Sequence, residues 1–86
     1  FGFVEVGAVS AQASPGMPSP RVFRLKADRA VINRMGLPND GVDVVAKRLA
    51  SRRQVSIPVF ANIVKTAGME GTPEEMAADY VTCLEG

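Results

Sequence analysis

Apolar positions along the chain fall into blocks with different rhythms. The first, FGFVEV (Phe1–Val6), is aromatic and β-branched, broken only by Glu5, with Gly2 and Gly7 as punctuation. Such a run predicts a strand buried on both faces, as in a parallel sheet covered by helices. A second strand is expected over VSIPVFANI (Val55–Ile63), with Pro58 near its start, where a missing N–H does least harm. Val42, Val45, Ala46, Leu49 and Ala50 recur at helical spacing and predict a helix from Gly41 to about Arg53, capped by Asn39 or Asp40. A last helix opens with the capping box Thr72-Pro73-Glu74-Glu75, and Met76, Ala77, Tyr80, Val81 and Leu84 form its expected apolar stripe.

Between these blocks the pattern loosens. Ala8–Pro20 holds a Pro15-Gly16 turn signal, with Pro18 and Pro20 keeping the chain extended. Val9 and the Val22–Leu25 segment are expected to pair as short antiparallel strands, a hairpin over about residues 8–25. Asp28–Met35 places Ala30, Val31 and Met35 at helical spacing, which suggests a short helix capped by Asp28 and ended by Gly36. Lys65–Gly71 reads as a flexible loop. The order is therefore a β-α-β-α unit with a hairpin excursion. Two parallel strands cannot bury their faces and edges alone. The expected architecture is α/β, about a quarter of an eight-stranded (β/α) TIM-type barrel or part of a doubly wound sheet, not a closed barrel by itself. Its exposed edges would favour association, including a homo-oligomer.

Composition narrows the chemistry. At 86 residues, 47% hydrophobic and 22% charged, the chain is of the globular class. A net charge of +1 gives no electrostatic case for nucleic acid or an acidic membrane surface. The one tight basic cluster, Lys47-Arg48 with Arg52-Arg53, reads as a solvated helix face. Histidine is absent, and Cys83 is the single cysteine. That excludes a histidine base and an internal disulfide, argues against a transition-metal site, and fits a reducing compartment. Cys83 itself reads as a small filler beside an apolar stripe. No apolar run approaches the roughly 20 residues of a membrane span. The chain starts at Phe1 inside an apolar run, as expected of a piece of something longer.

Three places carry candidate chemistry. Gly7-Ala8 puts nearly bare backbone at a strand's carboxyl end, where ligands approach in α/β folds; a simple turn glycine is the alternative. Asn33 lies in the densest polar stretch, Arg21–Gly41, and offers an amide to a planar ligand or to a helix end. Asn62 is the one polar residue in the second half of its strand and needs a partner, either a ligand or a neighbouring backbone group.

Four segments, FGFVEVG (Phe1–Gly7), PGMPSPRVFRL (Pro15–Leu25), INRMGLPNDG (Ile32–Gly41) and DYVTCL (Asp79–Leu84), resemble the class 2, quinone-linked dihydroorotate dehydrogenases. The likeness runs in order through nearly the whole chain, and the INRMGLPNDG block is its specific part. It implies a partial barrel, 1–86, from the second strand to the third helix, in an enzyme that oxidises dihydroorotate to orotate in de novo pyrimidine (UMP) synthesis. It implies FMN at the carboxyl ends of the strands, held in part by Gly7, Ala8, Asn33 and Asn62. Asn33, Arg34, Met35, Gly36 and Leu37 would form the substrate-binding segment for dihydroorotate or orotate. Quinone would be the final acceptor. Membrane association would come through segments outside these residues, at the cytoplasmic face of a bacterial cell membrane or the mitochondrial inner membrane of a eukaryote.

The resemblance places the serine base and the phosphate-binding glycines in later strands, so no catalytic residue is expected here and the segment alone is expected to be inactive. Ala8 stands where the family usually has Ser or Thr, Met17 replaces an Asn, Leu37 replaces a Phe, and Val64-Lys65-Thr66 with a longer Gly-rich loop stands where the family runs Gly-x-Asn-Lys or Gly-Lys-Asn-Lys, leaving Lys65 without a clear role. Those departures leave two other readings: a non-catalytic partial barrel serving as a packing or oligomerisation unit, or another FMN barrel oxidoreductase.

Overall fold

The computed structural model describes residues 1–86. Two strands, β1 (Val4–Val9) and β4 (Val59–Ile63), pair in parallel, as expected. Their register sets Val4 beside Val59, Glu5 beside Phe60, Val6 beside Ala61 and Gly7 beside Asn62, then slips so that Val9 meets Ile63. The slip leaves Ala8 as an extra residue, a bulge that re-aims the strand end.

Alternation along the strands separates two faces. Val9 and Ile63 pack with Val42 and Val45 of α1 (Val42–Ser51) and with Cys83 of α2 (Pro73–Glu85). Phe3, Glu5, Phe60 and Asn62 line the opposite face, which nothing covers; Phe3 and Phe60 are 61% and 56% exposed there and meet edge to face at 5.8 Å. The first strand was expected to be buried on both faces. It is covered on one face only and only toward its end, where Val9 is buried, Val6 half-buried and Val4 exposed, because two helices supply a single covering layer. The expected strand over Val55–Ile63 also shortens, to begin at Val59 after Pro58.

The excursion differs from expectation. β2 (Val22–Leu25) pairs antiparallel with β3 (Ala30–Asn33), not with Val9, and Asp28–Met35 forms no helix. The β-branched pair Val31-Ile32 fits a pleated ribbon better than a helix turn, where its χ1 angles would be restricted. The turn lies at residues 26–29, with Arg29 at φ 50, so Pro15-Gly16 is a bend in the approach, not the hairpin tip.

Both helices lie where expected. In α1 the stripe Val42, Val45, Ala46 and Leu49 turns inward, while Ala50 stays exposed. Its N-cap is Gly41, with no side-chain cap; Asn39 instead accepts the Gly41 N–H at 3.0 Å. Arg48 pairs with Asp40 on the solvent side, so part of the basic cluster is spent on a surface ion pair. In α2, Thr72 caps the Glu75 N–H and Pro73 begins the helix. Its inward residues, however, are Met76, Asp79 and Cys83, while Tyr80, Val81 and Leu84 face out. A buried carboxylate displaced the apolar stripe. Asp79 accepts from the Thr66 N–H at 2.7 Å and the Thr66 hydroxyl at 2.8 Å, which meets the cost of its burial.

The chain as a whole is a slab of 44 × 40 × 18 Å with a radius of gyration of 15.5 Å. A compact chain of this length would have a radius of about 12 Å. Only Val9, Val42 and Cys83 are fully buried apolar residues.

Candidate functional site

The carboxyl ends of β1 and β4 gather the polar residues that the strand pattern leaves over. Gly7 lies level with Asn62, at φ 137, a conformation that suits glycine. A Cβ at Gly7 would come within 2.6 Å of the Asn62 carbonyl oxygen, so the absence of a side chain is what lets the strands approach. On the open face the Asn62 Nδ2 donates to Glu5 Oε1 at 3.1 Å, while its Oδ1 makes no hydrogen bond within the chain. The expected partner of Asn62 is thus neither a backbone group nor buried, and half of its amide stays available to something lying on this face. Ala8, in the bulge, adds no polar atom.

Beyond β1, the chain is tied to its neighbours by Asn39, marked in the sequence only as a helix cap, and by Ser10, Gln12 and Thr66, which the pattern did not single out. Ser10 donates its N–H to Asn39 Oδ1 at 3.1 Å and its hydroxyl to the Gln12 carbonyl at 2.7 Å. The Gln12 N–H reaches Thr66 Oγ1 at 3.2 Å, which joins this node to Asp79 of α2. The Val42 N–H donates to the Ser10 carbonyl at 2.9 Å, and Val64 to Val9 at 2.8 Å. One signal for the node was available in the sequence: the Pro-Asn-Asp-Gly run, where an Asn side chain characteristically bonds the backbone two residues on. Nothing in the spacing foretold that Ser10 and Thr66 would meet it.

The Asn33–Leu37 segment leaves the end of β3 and returns toward this node. Asn33 Oδ1 accepts the Met35 N–H at 3.3 Å, and its Nδ2 makes no hydrogen bond within the chain. The Arg34 guanidinium donates to the Pro20 carbonyl at 3.3 and 3.2 Å, which anchors the segment to the approach to β2. The Met35 carbonyl accepts from the Met17 N–H at 2.8 Å. Gly36, at φ 74, lies so close to Met17 that a Cβ would meet its backbone nitrogen at 2.9 Å. Leu37 also takes a positive φ, 54, uncommon for a branched residue, and is 56% exposed. Gly7 and Asn62 are therefore brought together; Asn33 makes no hydrogen bond to either, and the segment reaches β1 only through Asn39.

Two further residues are settled by their contacts. Lys65 donates to the Met69 carbonyl at 2.6 Å and the Thr66 carbonyl at 3.3 Å, closing its own loop. Burial pushes the Cys83 thiol above its ordinary pKa, and the Asp79 carboxylate adds to that shift. A buried thiol held protonated is a poor nucleophile, which agrees with a filler role.

Comparison with known proteins bears on the whole chain. The family described as dihydroorotate dehydrogenase matches residues 1–86. A dihydroorotate dehydrogenase (quinone) of Rhodococcus erythropolis is 56% identical over 85 residues, covering 99% of this chain and 23% of its own length. Enzymes of the same name from Nocardia farcinica and Gloeobacter violaceus are 52% and 54% identical, covering 95% and 92% of this chain and 21% of each relative. The chain thus spans between a fifth and a quarter of the length of these relatives.

Proposed function

The chain belongs to the dihydroorotate dehydrogenase family, and from that premise we propose that it is a segment of an FMN-dependent enzyme that oxidises dihydroorotate to orotate, with quinone as the final acceptor, in pyrimidine synthesis. In this reading β1 and β4 are neighbouring strands of a (β/α) barrel, α1 and α2 belong to its outer layer, and the open face of Phe3, Glu5, Phe60 and Asn62 is its interior.

The observation that carries the reading is the pairing of Gly7 with Asn62 at the carboxyl ends of two parallel strands. Bare backbone beside an amide with a spare acceptor suits one edge of a flat, hydrogen-bonding ring, and ligands of α/β sheets lie outside the carboxyl ends of the strands. FMN, when bound, supplies the hydride acceptor, and the protein orients and polarises around it. Asn62 would present its Oδ1 to the flavin and Gly7 would let the ring approach. Asn33, with a free Nδ2, would donate to the carboxylate or a carbonyl of dihydroorotate, and Arg34–Leu37 would wall the substrate on one side. No residue of this segment removes the substrate's proton, so the segment alone is inactive. Enzymes of this class work at the cytoplasmic face of a bacterial membrane or at the mitochondrial inner membrane, and that is the location proposed.

The test is made on the full-length protein that contains this chain. Purified, it is expected to be yellow with bound FMN and to bleach on anaerobic addition of dihydroorotate. Asn33→Ala should then lose at least about tenfold in kcat/KM, the loss expected of a hydrogen bond to a charged ligand. A colourless protein, or a flavin that dihydroorotate leaves oxidised, would refute the reading.

A further inference from the structure

Asn39 lies outside the proposed substrate-binding segment, yet every hydrogen-bonding position of its amide is occupied. Oδ1 accepts the N–H groups of Ser10 at 3.1 Å and Gly41 at 3.0 Å. Nδ2 donates to Ser10 Oγ at 3.0 Å and to the Leu37 carbonyl at 3.1 Å. The orientation of the amide is fixed by its partners, since two N–H donors face one end and a carbonyl faces the other. The backbone of Asn39 is fixed as well, by reciprocal bonds of 2.9 Å with Ser14.

These partners belong to three different parts of the fold. Ser10 follows β1, the strand that carries Gly7 and Ala8. Gly41 begins α1. Leu37 ends the Asn33–Leu37 segment, in a left-handed conformation that a non-glycine residue keeps only where its surroundings hold it. Met17 pins the middle of that segment through the Met35 carbonyl, and Arg34 pins its beginning. The tie at its end, and its single side-chain link to β1, is the Asn39 amide.

Resting on the function proposed above, we infer that Asn39 is a positioning residue: its amide sets the substrate wall, through the Leu37 carbonyl, at a fixed distance from the strand end that carries the flavin contacts. The acceptor half of the amide organises Ser10 and the start of α1, and the donor half positions the wall. The two halves are separable by chemistry. Asn39→Asp is nearly isosteric and keeps both acceptor bonds, but it replaces the donor to Leu37 with a carboxylate oxygen facing a carbonyl.

The experiment uses the full-length protein and measures FMN content, thermal stability, the orotate Kd by perturbation of the flavin spectrum, and kcat and KM for dihydroorotate. Asn39→Asp is expected to keep stoichiometric FMN and a near-parental Tm while orotate Kd and dihydroorotate KM rise about tenfold, the loss of one hydrogen bond plus a repulsion. Ser10→Ala keeps the Leu37 bond but frees one anchor of the amide, and is expected to raise the orotate Kd about threefold. The double variant should fall short of the product of the two effects, as for residues in one network. If Asn39→Asp binds orotate like the parent, or if its losses of FMN, stability and orotate affinity run in parallel, the inference is overturned. Should Asn39→Asp not fold, Ser10→Ala decides alone: a parental orotate Kd overturns it and a raised one with full FMN supports it. A parent that holds no FMN and does not oxidise dihydroorotate overturns the proposed function and this inference together, whereas an active parent with indifferent variants overturns the inference alone.

Discussion

The two faces of the β1–β4 ribbon are made from similar residues and meet different fates. On one, Val9 and Ile63 pack with Val42, Val45 and Cys83, an apolar contact between sheet and helices, and Ala61 and Leu49 line a gap of about 210 Å³ beside it. On the other, Phe3 and Phe60 stand in the open beside a polar pair, Glu5 and Asn62. The covered face is explained by what is present. The open face is explained by what a larger fold would lay against it: Phe3 and Phe60, 61% and 56% exposed, would gain by burial. In the function proposed above, the difference would divide stability from function by face, with packing on the helix side and ligand contacts on the open side.

The strongest way to break this comparison is to remove the larger fold. The 86-residue chain expressed alone buries three apolar residues, too few to offset the entropy of ordering its backbone. It is expected to show no cooperative thermal transition, to bind a hydrophobic dye, and to associate through its strand edges, as read by light scattering. A sharp transition from a monomer would show that the open face needs no cover.

Gly7 belongs to both halves of the comparison, so a change there should damage both. In the full-length protein, Gly7→Ala places a methyl group 2.6 Å from the Asn62 carbonyl and asks alanine to hold a φ of 137. Overpacking and backbone strain together are expected to cost about 3 kcal/mol, and FMN content should fall with stability. Retention of both would mean that the strands part there without penalty.

A paired substitution sharpens the division. Val42→Ala, on the covered face, is expected to lower stability by about 2 kcal/mol while the folded protein binds FMN as before. Asn62→Ala, on the open face, should do the reverse. The apo protein should unfold within about 0.5 kcal/mol of the parent, while FMN affinity falls by about tenfold. Equal effects of the two on both readouts would erase the distinction between faces.

How far the sequence announced this arrangement depends on the element. Both parallel strands, both helices and the Thr72-Pro73 start of α2 were legible, because apolar periodicity and capping chemistry act locally. The β2–β3 hairpin was not. Ala30, Val31 and Met35 satisfy a helical spacing, and the competing signal, adjacent β-branched Val31 and Ile32, was outweighed by it. The α2 face was misread for a different reason. Asp79 is buried by bonds from Thr66, thirteen residues earlier, and a pattern that sorts residues by polarity sends every carboxylate to the surface. Asn33, Asn62 and Gly7 were marked by residue type, whereas Ser10 and Asn39 matter through partners 29 residues apart. Local rules marked Asn39 as a partner of the α1 start, which it is, and missed its ties to Ser10 and Leu37.

The smallest expected effect tests whether the covered face is dry to its edge. Burial, with the Asp79 carboxylate nearby, raises the pKa of Cys83 in the folded state. The thiol therefore holds its proton in the folded chain at pH values where the unfolded chain has begun to lose it. With more protons bound when folded, stability falls as pH rises from the ordinary thiol range, about 8.5, toward the folded pKa, and is unaffected below that window. In the full-length protein, the alkaline decline in stability should be shallower in Cys83→Ala than in the parent, set against a pH-independent loss from the smaller side chain. Reaction of the folded protein with a thiol reagent at neutral pH should be slow and limited by opening of α2. Rapid labelling at neutral pH, or an alkaline decline the substitution does not change, would mean that water reaches Cys83, and the covered face would then end at Val9 and Val42.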